Sequence, residues 1–177
     1  MALTATILGG ALIGSEFLMI GCTDNRKAVG AFSDSGIALL NEIGETILPT
    51  TERSPGAGFA NIGDYIRIMV NDCYGEKNKE IFLAGFEAFN QRVEKVHSIG
   101  FLALDRDQRR EFLTELDREA VGFPDQTINQ FFRMAKELTI KGYFRSEVGL
   151  TKALRYNPIP GTYRGCVPYS QGEGAMN

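Results

Sequence analysis

The chain has 177 residues, enough for one domain with its own core, and its 44% hydrophobic and 23% charged residues are ordinary globular proportions. The formal charge of −3 comes without any run of Lys and Arg, which excludes the clustered basic patch that nucleic-acid binding requires. With no Trp and a single histidine, His97, few catalytic constellations can be built.

Residues 1–22 read as a leader. From Met1 to Gly21 the only charged side chain is Glu16, and small or apolar residues fill the rest. An uncharged stretch of about 18 or more residues can span a bilayer as a helix. This one is rich in Gly and Ala and ends at Met19-Ile20-Gly21-Cys22, a loose bacterial lipobox in which Cys22 would be lipidated and become the mature N-terminus. Of the three parts of a secretory signal, the apolar stretch and the small residues are present and the basic start is not. An uncleaved anchor helix and a buried N-terminal helix are the other readings. The expectation is an exported protein anchored on the periplasmic face of a bacterial membrane.

Residues 23–33 form a polar tether carrying Arg26 and Lys27, and a helical domain over 34–156 follows. Asp34 is placed to cap a first helix, in which Ile37, Leu40, Ile43 and Ile47 recur at helical spacing until Pro49 ends it. Residues 50–58 are a loop by their Pro and Gly content. A second helix is predicted from Gly63 to Tyr74, with Ile66, Met69 and Val70 on one face. The third runs from about Asn78 to His97 and buries Ile81, Phe82, Gly85, Phe86, Phe89 and Val93. Asp105 caps a fourth helix through Asp117, with Phe112, Leu113 and Leu116 inward. Pro124 opens a fifth, buried through Ile128, Phe131, Phe132, Ala135 and Leu138. Residues 157–177, punctuated by Pro158, Pro160, Gly161, Gly165, Pro168, Gly172 and Gly174, form an extended irregular tail. No segment alternates with a strand's period of two. The fold class is therefore all-α, a compact bundle of about five helices between a signal or anchor segment and an extended tail.

The chemistry-bearing residues are sparse. A nucleophilic triad would have to use His97, which ends an amphipathic helix where a histidine complements the negative end of the helix dipole. Cys22, Cys73 and Cys166 stand too far apart for a zinc site and have no histidine nearby. Gly9-Gly10 and Gly56-Ala57-Gly58 do not connect a strand to a helix, as a phosphate cradle must. Glu111, Glu115 and Asp117 fall among arginines at helical spacing, as on a solvated face. No catalytic, cofactor-binding or metal-binding residue is assigned. In an oxidising compartment Cys73 and Cys166 could pair with each other or one of them across a subunit boundary, and two free thiols remain the alternative.

Two segments carry a family resemblance. The first is Ile47-Leu48-Pro49-Thr50-Thr51 followed by Ser54-Pro55-Gly56-Ala57. The second is Lys136-Glu137-Leu138-Thr139, then Gly142-Tyr143-Phe144-Arg145-Ser146-Glu147-Val148-Gly149, Tyr156, Pro160-Gly161-Thr162-Tyr163 and Gly165-Cys166-Val167-Pro168. In order and spacing they resemble the gluconate 2-dehydrogenase subunit 3 family, the small subunit of bacterial flavin-dependent sugar and sugar-acid dehydrogenases. The likeness extends from about Ser35 to Tyr169, but between Tyr74 and Phe123 it is a likeness of helicity alone. It implies a large partner subunit of the glucose-methanol-choline type that binds FAD and oxidises a sugar or polyol. It implies a cytochrome c subunit with haem c where one takes the electrons, and a small subunit without a cofactor of its own. It also implies a twin-arginine leader for export; residues 1–22 hold no twin arginine, as expected if Met1 lies inside a longer leader, and otherwise the export-escort role is weakened.

On this reading the chain is a non-catalytic accessory subunit that aids the export, stability and membrane tethering of the flavoprotein. Tyrosine and phenylalanine are enriched at interface cores. The expected contact therefore lies in residues 142–168, through Tyr143, Phe144, Tyr156, Pro160, Gly161, Tyr163 and Cys166. The same residues could instead close the domain's own core. The rival function is a stand-alone periplasmic lipoprotein that binds a ligand or acts as a scaffold.

Overall fold

A computed structural model describes residues 30–159, 161, 162, 166 and 168; the leader, Cys22 and most of the tether lie outside them, as do Pro160 and Tyr163. The described residues contain five α-helices: α1 (Asp34–Ile47), α2 (Ile62–Ile68), α3 (Glu76–His97), α4 (Arg106–Gly122) and α5 (Thr127–Tyr143). No strand occurs among the described residues. The protein is an all-α bundle. None of the described helices is long and apolar enough to cross a membrane.

Local chemistry sets the helix ends. Ser33, one residue before the expected Asp34, caps α1 by accepting the Gly36 N–H at 3.1 Å, and Asp34 adds negative charge to the first turn. Just before it, Gly30–Phe32 form a 3-10 turn with Ala31 fully buried against the bundle. The tether's last residues thus belong to the folded domain. α4 starts with a complete capping box, Asp105 accepting from the Gln108 N–H at 2.9 Å and Gln108 accepting from the Asp105 N–H at 3.0 Å.

Two expectations change. The second helix is regular only to Ile68 and then widens into a π turn over Met69–Cys73. A π turn inserts a residue, which counting at 3.6 cannot foresee. The fifth helix begins at Thr127, because Phe123 to Gln126 form a turn closed by the Gln126 N–H on the Phe123 carbonyl at 3.3 Å. Pro124 holds the second position of that turn, where its fixed φ fits as well as at a helix start.

α5 is the hub, packing against α1, α2, α3 and α4. At its centre Phe131 meets the rings of Phe82, Phe86 and Phe89 at 5.0, 5.9 and 5.6 Å between centroids, and Phe89 continues to Phe101 and Phe112. The two helices come this close because Gly85 has no Cβ; one there would collide with Phe131 and lie 2.7 Å from the Thr127 carbonyl. Ion pairs brace the periphery. Arg92 on α3 forks onto Glu119 of α4 at 2.7 and 2.6 Å, and this bond is the main cause that raises the guanidinium pKa further.

Candidate partner interface

The two family-like segments, far apart in sequence, meet in space. Tyr143 at the end of α5 donates its hydroxyl hydrogen bond to the Pro55 carbonyl at 2.5 Å. Pro55 sits in a loop that α1 pins from below. The Glu45 carboxylate accepts the Thr50 N–H through Oε1 and the Gly58 N–H through Oε2, each at 2.8 Å. The Thr50 hydroxyl accepts the Gly56 N–H at 2.9 Å, and the Ala57 N–H returns to the Leu48 carbonyl. One carboxylate thus satisfies donors on both sides of the loop, and Ala57, fully buried, anchors its end in the core.

The segment after α5 is tied as closely. Ser146 donates to the Tyr143 carbonyl at 2.7 Å and accepts the Gly149 N–H at 3.0 Å, which caps the following helical turn. That turn widens to a π turn over Gly149–Ala153. Gly149 is obligatory, since a Cβ there would collide with the Tyr143 carbonyl. Phe144 stands edge-on to Tyr143 at 5.1 Å. Tyr143 is 3% exposed and Phe144 packs half-buried on the core. Of the expected contact residues, these two close the domain's own core; the tyrosine found its polar partner inside the chain.

Tyr156 differs. It is 49% exposed, and Ile159 beyond it is 82% exposed. Every described position from Arg155 onward is exposed, including Gly161 and Cys166. Gly161 has φ +67, a left-handed conformation that favours glycine and turns the chain without strain. Pro160 and Tyr163 lie outside the described residues. Cys73, at the end of the π turn after α2, and Cys166 are both exposed and free.

Elsewhere the surface offers less organised features. His97 closes α3 edge-on to Phe112 at 5.9 Å. An open groove of about 980 Å³ runs over α5 between α3 and α4, with Ile81, Val121, Met134 and Ile140 along it. The Lys136–Asp117 ion pair, at 2.6 Å, lines the same groove. No group of three or more His, Cys, Asp or Glu side chains among the described residues is placed to hold a metal ion. Two residues escaped the sequence reading. Glu45 braces the loop, and its signal was a carboxylate between the apolar Ile43 and Ile47 just ahead of a Pro-Thr-Thr loop. Phe59, 67% exposed on the far side of that loop, had no periodic neighbours to mark it.

A family model described as gluconate 2-dehydrogenase subunit 3 matches residues 34–161. No curated protein and no solved structure matches the chain.

Proposed function

The chain belongs to the gluconate 2-dehydrogenase subunit 3 family, and from that membership we propose that it is the non-catalytic small subunit of an FAD-dependent sugar or sugar-acid dehydrogenase. FAD and the alcohol oxidation belong to the large glucose-methanol-choline-type subunit. Haem c belongs to a cytochrome partner where the electrons leave by that route. This chain supplies contact surface and an address: it stabilises the flavoprotein, accompanies it through export and tethers it to the periplasmic face of the membrane. The leader and Cys22 provide the tether.

One observation carries the reading. The family-like block first closes the core at Tyr143 and then continues into a tail whose large apolar side chains, Tyr156 and Ile159, stay exposed. An apolar side chain gains about 1.5–3 kcal/mol on leaving water, so a partner surface that covers both is favoured. Proline positions hold such a segment extended and reduce the ordering cost of docking. Tyr156, Ile159 and the residues following them are therefore the contact with the flavoprotein.

Co-expression with the large subunit tests this. The full chain co-purifies with the flavoprotein, whereas a chain ending at Leu154 keeps its helical circular dichroism and loses the partner. An unchanged complex with the shortened chain removes the docking role of the tail. Dye reduction with sugar by this chain alone removes the accessory role.

A further inference from the structure

The connection between α3 and α4 turns an apolar strip outward at the corner where the chain enters the domain. Val96, Ile99 and Leu102 are 56%, 44% and 46% exposed within one stretch, residues 96–102. Apolar residues scattered singly on a surface need no explanation, but three within seven consecutive residues are not scattered. The turn that presents this strip is braced. Phe101 and Leu104 point inward, 2% and 3% exposed, while Leu102 between them points out. Arg109 on α4 donates to the Phe101 carbonyl at 3.1 Å and to the Leu102 carbonyl at 2.7 Å. Its guanidinium lies 5.8 Å from the Phe101 ring and pairs with Glu42 of α1. Leu102 therefore cannot turn inward without undoing this clamp.

The strip's position says what covers it. Leu102 lines an open depression of about 470 Å³ together with Ser33, Ser35 and Gly36, so the start of the domain lies beside it. Immediately upstream are the tether and the apolar leader. From Cys22 to Gly30 the backbone reaches about 28 Å at most when fully extended. That is less than the length of α3, about 33 Å at 1.5 Å per residue. A lipid anchor at Cys22 therefore keeps the start of the domain, and Leu102 beside it, within about 28 Å of the membrane.

We infer that Val96, Ile99 and Leu102 rest in the interfacial layer of a lipid bilayer, so that the domain lies on the membrane by its α3–α4 corner rather than swinging on its tether. The inference rests on the tethering role proposed above and adds an orientation to it. The strip supplements the anchor; alone, three half-exposed side chains would hold the protein only weakly.

Because the sequence has no Trp, one introduced indole reports its own surroundings. The full chain carrying Leu102→Trp or Ile99→Trp is mixed with phosphatidylcholine–phosphatidylglycerol vesicles, with and without brominated acyl chains. Val121→Trp, at a position 85% exposed at the end of α4, is the control. The two strip variants shift their emission to the blue on vesicles and are quenched severalfold more by brominated chains than the control. If strip and control indoles on bound protein stay equally open to aqueous acrylamide, the orientation is wrong and the tether survives. Blue emission from Leu102→Trp before lipid is added assigns the strip to the chain's own leader folded back, which also overturns the inference. A chain that does not sediment with vesicles at all removes the tethering reading, and the orientation falls with it.

Discussion

Residues 142–149 and residues 156–168 belong to one family-like block and share a composition of aromatics, glycine and polar side chains. In the first stretch nearly every group has a partner within the domain. Tyr143 reaches the Pro55 carbonyl, Ser146 bridges the Tyr143 carbonyl and the Gly149 N–H, and Gly149 leaves room for that carbonyl. In the second stretch the described positions are exposed, with Tyr156 and Ile159 the largest apolar groups among them. Similar side chains therefore serve two ends, closing a core and offering a surface. Among the described residues burial separates them: Tyr143 is 3% exposed and Tyr156 49%.

The largest effect is expected where the first stretch has no slack. Gly149→Ala places a methyl group against the Tyr143 carbonyl, and the overpacking costs about 3 kcal/mol. The urea midpoint of the variant falls accordingly. A midpoint within experimental scatter of the wild type would mean that the turn yields easily and that the contrast with the tail is overdrawn.

Much of this architecture is legible in the residues, and the gaps have physical causes. The apolar spacing of α3 and α5 places Phe82, Phe86, Phe89, Phe131 and Phe132 in the core because a helical face buries what recurs at 3.6. Asp105 and Gln108 announce the start of α4 through complementary chemistry three residues apart. Ser33, Asp34 and Ser35 are all capping residues in a row, so the sequence leaves the choice among them to geometry. The π turns at Met69–Cys73 and Gly149–Ala153 follow from tertiary packing and leave no local mark. The interface was legible only as a composition. Tyr143 and Tyr156 look alike until the Pro55 carbonyl, contributed by a loop 88 residues away in sequence, is found beside one of them.

A smaller effect sharpens the comparison from the same side. Tyr143→Phe keeps the ring in place and removes only the hydroxyl donor to Pro55. The Pro55 carbonyl is part-buried and loses its partner, so the domain is destabilised by about 1 kcal/mol. Affinity for the flavoprotein is unchanged, since a core hydroxyl makes no contact with another subunit. Titration of the variant against the large subunit checks this: a weakened complex with unaltered stability would return Tyr143 to the interface.

Tyr156→Ala is the converse and the least costly to the fold. The side chain is half exposed, and the described positions that follow it are exposed as well. Exposed positions of this kind change stability by within about 0.5 kcal/mol. Binding is another matter, because a buried tyrosine is a frequent energetic anchor and its truncation commonly costs more than 1 kcal/mol. Affinity for the flavoprotein should therefore fall about tenfold, which corresponds to roughly 1.4 kcal/mol. Ile159→Ser, removing a larger exposed apolar fraction from the same segment, should act in the same direction. If both variants bind as the wild type does while Tyr143→Phe does not, the exposed tail is spacer and the contact surface lies on the folded domain. Then exposed Phe59, on a loop that Glu45 holds rigid, becomes the first position to substitute.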